Sequence, residues 1–152
     1  MKTDEEWMYD AWLLAQKAAE IDEVPVGALL VYDNKLIASG YNASITKNDP
    51  TAHAEMIALR LAAKKIQNYR LIGMRLYTTL EPCCMCAGAI IHARVNEVII
   101  GTTDPKAGCV GSVLDILHQA EFNHQVTTKV GVLAEPCANI LRSFFKQKRQ
   151  KK

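Results

Sequence analysis

Long apolar runs are missing from this chain of 152 residues: none approaches the roughly 18 residues of a membrane span. A basic leader is missing too, since the opening Met1-Lys2-Thr3-Asp4-Glu5-Glu6 is acidic where a secretory signal carries positive charge. Cytoplasmic residence without a membrane is the expectation. Internal repeats, linkers and low-complexity stretches are absent apart from a basic tail, so one domain over 1–152 is expected, with no room for a second catalytic unit. Charge of one sign is scarce as well. A formal net charge of +2 gives no global signature of a nucleic-acid binder. What remains is globular composition, 49% hydrophobic and 22% charged, enough to build a core without disulfide staples.

The five cysteines are an odd number, and three crowd into Cys83 to Cys86, which suits a metal site better than a disulfide framework. Cys109 and Cys137 read as ordinary buried thiols. Positive charge gathers at the end, where Lys146-Gln147-Lys148-Arg149-Gln150-Lys151-Lys152 carries five cations and no anion. That run fits two readings: a solvated helix end whose cations suit the dipole, or a contact for polyanion phosphates.

Hydrophobic spacing orders the rest. Thr3 and Glu6 form a capping-box pattern, and Met8, Ala11, Trp12, Ala15, Ala18 and Ala19 recur at helical intervals, which predicts a helix over 4–20. Residues 26–32 and 35–41 read as a hairpin turning on Asp33-Asn34. After a polar loop over 43–50, Asp49-Pro50-Thr51 supplies capping and start residues for a helix to Gln67, which places His53 and Glu55 in its first turn. A buried strand over 74–80 is broken by Glu81-Pro82, and a helix over 84–93 follows with cysteines at its start. A strand over 97–101, a short helix beginning at Ser112-Val113-Leu114-Asp115, a strand through Val126, Thr128 and Val130, and a final helix from near Pro136 complete the pattern. Cys137, Ile140, Leu141, Phe144 and Phe145 share one face of that helix, so both phenylalanines read as core. Strands alternating with helices after a hairpin imply a three-layer α/β/α fold around a mixed sheet.

His53-Ala54-Glu55 and Pro82-Cys83-Cys84-Met85-Cys86 carry the chemistry. Cys83 and Cys86, three apart at a helix start, place both sulfurs on one side, where the helix dipole favours thiolate. Cys84 and Cys86, two apart, diverge, so Cys84 is expected to pack into the core. His53 is a third ligand for zinc. Structural zinc usually takes four protein ligands, whereas three leave a position for water, whose pKa then falls toward about 7. Glu55 lies close to that metal without being needed as a ligand, which suits a proton carrier. Alone, His53 would read as a helix-start histidine, Glu55 as a favourable first-turn acid, and Cys-x-x-Cys as a zinc knuckle or redox pair. Jointly they point to hydrolysis.

These two motifs resemble those of the zinc-dependent nucleobase deaminases. Glu23-Val24-Pro25-Val26-Gly27-Ala28, Gly40-Tyr41-Asn42, Asp49-Pro50-Thr51-Ala52, Thr79-Leu80-Glu81-Pro82, Asp104-Pro105-Lys106-Ala107-Gly108 and the Phe144-Phe145 helix are similar to the bacterial tRNA-specific adenosine deaminases, over nearly the whole chain. The resemblance implies a cytidine-deaminase-like fold with a five-stranded mixed sheet, and a homodimer. It implies hydrolysis of the wobble adenosine of a tRNA anticodon, in an arginine tRNA, to inosine and ammonia. Zinc-activated hydroxide would attack adenine C6, with one zinc per subunit on His53, Cys83 and Cys86 and with Glu55 shuttling protons. It further implies that Asn42, Ala54 and Asp104 bind the substrate, Asn42 at the flipped base and Asp104 near the ribose, with Lys106, Lys146, Lys148 and Arg149 offered to the RNA backbone. Without the resemblance, Asn42 and Asp104 read as turn residues. The same zinc machinery would serve free guanine, cytosine or a nucleoside such as cytidine. An RNA-binding module with structural zinc is the non-enzymatic reading, and it would have little use for Glu55.

Overall fold

The computed structural model describes residues 1–151; Lys152, the last of the basic tail, lies outside them. The elements run α1 (Asp4–Glu20), β1 (Gly27–Tyr32), β2 (Lys35–Tyr41), α2 (Ala54–Ile66), β3 (Arg75–Leu80), α3 (Cys84–His92), β4 (Glu97–Thr102), β5 (Thr127–Val130) and α4 (Ala134–Gln150). The capping box forms: Thr3 Oγ1 accepts from Glu6 N and Glu6 Oε1 accepts from Thr3 N, each at 3.2 Å. Asp33 and Asn34 take φ of +50° and +56°, the left-handed pair that a two-residue hairpin turn demands.

Five strands form one mixed sheet in the order β2-β1-β3-β4-β5. β1 is antiparallel to β2 and β3, while β3, β4 and β5 are mutually parallel neighbours. Side chains alternate across the sheet. Leu29, Val31, Tyr77 and Ile99 point to a core shared with Trp7, Met8 and Ala11 of α1 and Cys137 of α4. Ala28, Leu30, Leu76 and Ile100 point to the opposite core, built with Ala54, Ala58 and Ala62 of α2 and Ala87 and Ile90 of α3. Both faces are covered, and the expected α/β/α sandwich is what forms. Gly40 lets α2 sit tightly on β2, since a Cβ there would lie 2.9 Å from Ala54 O.

Four local expectations fail for identifiable reasons. The α2 helix begins at Ala54 with His53 as its N-cap, because Asp49 spends Oδ1 on Thr51 N (2.8 Å) and Thr51 Oγ1 (2.7 Å) instead of capping the helix. Residues 112–115 are turns and an isolated Val110–Asp115 bridge, not a helix, because the Ser112 amide and hydroxyl are both drawn to Glu81. The α4 helix starts near Pro136 as expected, at Ala134, which leaves Pro136 in the first turn, where a missing N–H costs nothing. Phe145 is 43% exposed and Phe144 half-buried, since α4 is buried at Cys137, near its start, and not at the phenylalanines. Cys84 is exposed, not core, because α3 turns Cys86, Ala87 and Ile90 inward. Cys109 and Cys137 are buried as expected.

Candidate active site

The site forms where two helix N-termini meet. His53 caps α2 with an extended backbone (φ −78°, ψ 154°) and Cys83 caps α3 likewise (φ −74°, ψ 176°), neither with a capping side-chain bond. Their side chains are therefore available to each other. His53 Nδ1 lies 3.6 Å from both Cys83 Sγ and Cys86 Sγ. The three donor atoms lie within 4.8 Å of one another, the one group among the described residues arranged to hold a metal ion. A tetrahedral zinc at its usual bond lengths would hold imidazole nitrogen and thiolate sulfur about 3.6 Å apart. The donors fit zinc in type and in spacing.

Protonation in the cluster is unevenly shared. The Cys83 thiol is pulled down to about 4, first by a hydrogen bond from Cys86 and further by His53. Cys86 is pushed far up by that same bond and by burial. His53 is raised, chiefly by its bond to Cys83. A metal bound there displaces whatever proton the sulfurs hold, so its affinity rises with pH. Glu55, one residue inside α2 and 4% exposed, is pushed up to about 7, mainly by burial and also by the Cys83 charge.

Above this floor lies a cleft of about 220 Å³ lined by Val24, Val26, Asn42, His53, Glu55, Leu80, Glu81, Cys83, Asp104 and Ala107. Asn42 stands at the end of β2, where its Oδ1 accepts from Ala54 N at 2.8 Å and supplies the first-turn bond that Asp49 does not. Ala54 is buried in the core beneath, with its amide taken by Asn42, and does not line the cleft. Asp104 lies on the far wall, its Oδ1 accepting from Lys106 N (3.0 Å) and Ala107 N (3.2 Å). The Lys106 side chain is exposed beside it. No residue of α4 reaches the cleft: Lys146 and Arg149 are exposed, and Lys148 folds back to Asp22 at 3.1 Å and over the Phe144 ring. A larger groove between α1 and α4 holds no metal-ligating cluster among the described residues.

The apolar walls Val24, Val26, Leu80 and Ala107 lie in stretches that carry the family resemblance, but nothing in the residues themselves assigned them a place at the site. Two buried carboxylates in the same stretches were likewise given no role. Glu23, 2% exposed, accepts from Ile45 N (3.2 Å), Thr46 N (2.7 Å) and Thr46 Oγ1 (2.7 Å), and so pins the 43–50 loop beside Asn42. Glu81, 3% exposed, does the same for the opposite loop.

A three-donor site at paired helix N-termini, with a buried acid beside it under an α/β/α sheet, defines a zinc hydrolase of the deaminase class. Residues 1–102 match the family model for the cytidine and deoxycytidylate deaminase zinc-binding region. The chain is 49% identical to a tRNA-specific adenosine deaminase of Haemophilus influenzae, over 98% of this chain and 87% of that protein. It is 45% identical to one of Bacillus subtilis, over 100% of this chain and 94% of that protein. Among solved structures, a tRNA:A34 deaminase studied for A-to-I editing at the wobble position superposes with a TM-score of 0.85 at 42% identity, over 88% of this chain and 97% of the other. The chain belongs to the cytidine and deoxycytidylate deaminase family, whose metal is zinc.

Proposed function

We propose that this protein hydrolyses the wobble adenosine of a tRNA anticodon to inosine, releasing ammonia, with His53, Cys83 and Cys86 as zinc ligands and Glu55 as proton carrier. The observation that carries the reading is the 3.6 Å spacing of His53 Nδ1 from both sulfurs at the floor of a cleft that Glu55 also lines. Relatives over nearly the full chain that are named tRNA-specific adenosine deaminases supply the substrate.

When bound there, zinc supplies a water acidic enough to react near neutral pH. Glu55 supplies the proton traffic. Adenine's amino group leaves poorly as an anion, so a proton must reach ring N1 as C6 is attacked, and another must reach the departing nitrogen. Glu55 is buried against Cys86 and opens on the same cleft, so one carboxylate can carry the first proton of water to N1 and then the proton of the new C6 hydroxyl to the departing amine. Water and adenosine become inosine and ammonia, with no net proton consumed. Asn42, its Oδ1 occupied by Ala54, has its NH₂ group to donate to an acceptor nitrogen of the base. A cleft near 220 Å³ is smaller than the roughly 300–1,000 Å³ of drug-sized sites, which suits one flipped base. An anticodon loop offers such a base at low unstacking cost.

The substrate-facing role of Asp104 and phosphate contacts by Lys106, Lys146 and Arg149 belong to the same proposal. So does a homodimer, supported by the exposed apolar Leu61, Ile66 and Tyr69 on and just beyond α2. Cytoplasmic residence accords with the finding that no helix among the described residues is long and apolar enough to cross a membrane. Ammonia release should be measured on an anticodon stem-loop carrying adenosine at the wobble position, against free adenine, guanine, cytosine and cytidine, with bound zinc quantified. Turnover of the stem-loop alone is expected; turnover confined to free bases or nucleosides would overturn the reading.

A further inference from the structure

Glu81 has no part in the proton traffic above, yet it is a buried carboxylate with every oxygen engaged. Its Oε1 accepts from Asp104 N at 3.0 Å and from the Ser112 hydroxyl. Its Oε2 accepts from Val110 N at 2.9 Å and Ser112 N at 3.1 Å. One side chain thus gathers both ends of the 104–112 loop, which has no helix or strand of its own to hold it. Gly108 records how tightly the loop wraps, since a Cβ there would stand 2.3 Å from Glu81 Cδ. The loop is tied a second time to the segment that carries both Glu81 and the ligand Cys83, because Cys109 N donates to Pro82 O at 2.8 Å.

We infer that Glu81 is a positioning residue for the substrate: through the amides of Asp104, Val110 and Ser112 it sets the cleft wall that carries Asp104 and Ala107 opposite Asn42. The inference rests on the deaminase reading for its kinetic consequence, but not for its structural one. The chemistry demands a carboxylate. Four donors converge on two oxygens, and an ionised carboxylate is acceptor-only, with about four lone-pair sites. Glutamine has the same shape but turns an NH₂ group toward N–H donors, so an isosteric change removes two acceptances and adds a repulsion. A wall released in this way misplaces the ribose and flanking backbone while the zinc ligands and Glu55 stay where they are. The effect falls on substrate affinity more than on the chemical step.

The test is Glu81→Gln in the full-length protein, with zinc content, steady-state kinetics on the stem-loop and amide hydrogen exchange measured together. Expected are full zinc occupancy, a KM raised at least about tenfold and kcat within about threefold of wild type. Faster exchange at Asp104, Val110 and Ser112 should accompany this. Ser112→Ala, which removes one donor and spares the carboxylate, should raise KM by only about two- to fivefold. The double variant should be no worse than Glu81→Gln alone, because both act through one carboxylate. Unchanged KM and exchange in Glu81→Gln, or a loss confined to kcat, would overturn the inference. If Glu81→Gln fails to fold or bind zinc, Ser112→Ala decides, and an unchanged KM there overturns it. If wild type itself does not deaminate the stem-loop, the functional reading fails, and the exchange data still judge Glu81.

Discussion

Glu55 and Glu81 are the same residue type, almost equally buried, lining the same cleft 26 positions apart, and they are held in opposite states. Burial pushes both carboxyls up. At Glu55 burial prevails, and the neighbouring Cys83 charge adds to it, so the group sits near 7. At Glu81 the Ser112 hydroxyl and three backbone amides outweigh burial and hold the group below the ordinary carboxylate range. Donor supply, not depth, decides whether a buried acid moves protons or holds a loop. The metal floor keeps an acid short of donors, and the loop wall saturates one.

The harshest challenge to this contrast is to remove the floor. Cys83→Ala should lose zinc and all measurable deamination, because one imidazole and one thiolate cannot retain the ion. Cys84→Ala, one residue on but turned to solvent, should keep both. Metal analysis of the two purified variants checks the pair. Full zinc retention in Cys83→Ala would detach the metal from this site and leave Glu55 without its proposed task.

The two regions also differ in how readable they were. His53, Cys83, Cys86 and Glu55 announce themselves because metal ligation requires particular residue types at short fixed spacings, and helix geometry turns spacing into direction. The preference for Cys83 over Cys84 followed from that geometry and agrees with the side to which each sulfur turns. The same reasoning put Cys84 in the core and failed, since diverging from Cys86 does not say toward what. The strand pattern, the hairpin turn and the capping box were legible because period, left-handed asparagine and reciprocal caps are local. Glu81 and Glu23 stand in motifs that carry the resemblance, but their roles were illegible because their partners lie 22 to 31 residues away and are mostly backbone amides, which carry no residue identity. The failed helix at Ser112 has the same origin. Its capping pattern was real, but a distant carboxylate outbid the local bond.

A milder challenge tests Glu55 itself. Glu55→Ala should retain zinc and stem-loop binding while kcat falls about 10²–10⁴-fold, the usual worth of a general acid–base. Glu81→Gln is expected to show the reverse division between kcat and KM. Single-turnover deamination with parallel binding measurements separates them. If Glu55→Ala turned over at the wild-type rate, the two acids would not differ in kind, and the proton carrier would have to be sought elsewhere in the cleft.

The smallest effect comes from Glu23, which sharpens the comparison because it repeats the arrangement of Glu81 on the opposite loop, beside Asn42. Burial would raise its carboxyl, but the Thr46 amide and hydroxyl and the Ile45 amide outweigh burial and lower it. A folded-state value below the unfolded one means that the stabilisation is fully present above the ordinary carboxylate range, near pH 4.3, and is lost as pH falls through the lowered value. Glu23→Gln should therefore cost about 1–3 kcal/mol at pH 7, the penalty for breaking hydrogen bonds to a buried charged acceptor. Wild type and variant should converge as acid protonates Glu23 and leaves it no better an acceptor than glutamine. Denaturant melts of both proteins between pH 7 and pH 3 read this directly. A gap that stays constant with pH would mean that the loop is held by the shape of the side chain and not by its charge. The same doubt would then extend to the argument that Glu81 must be a carboxylate.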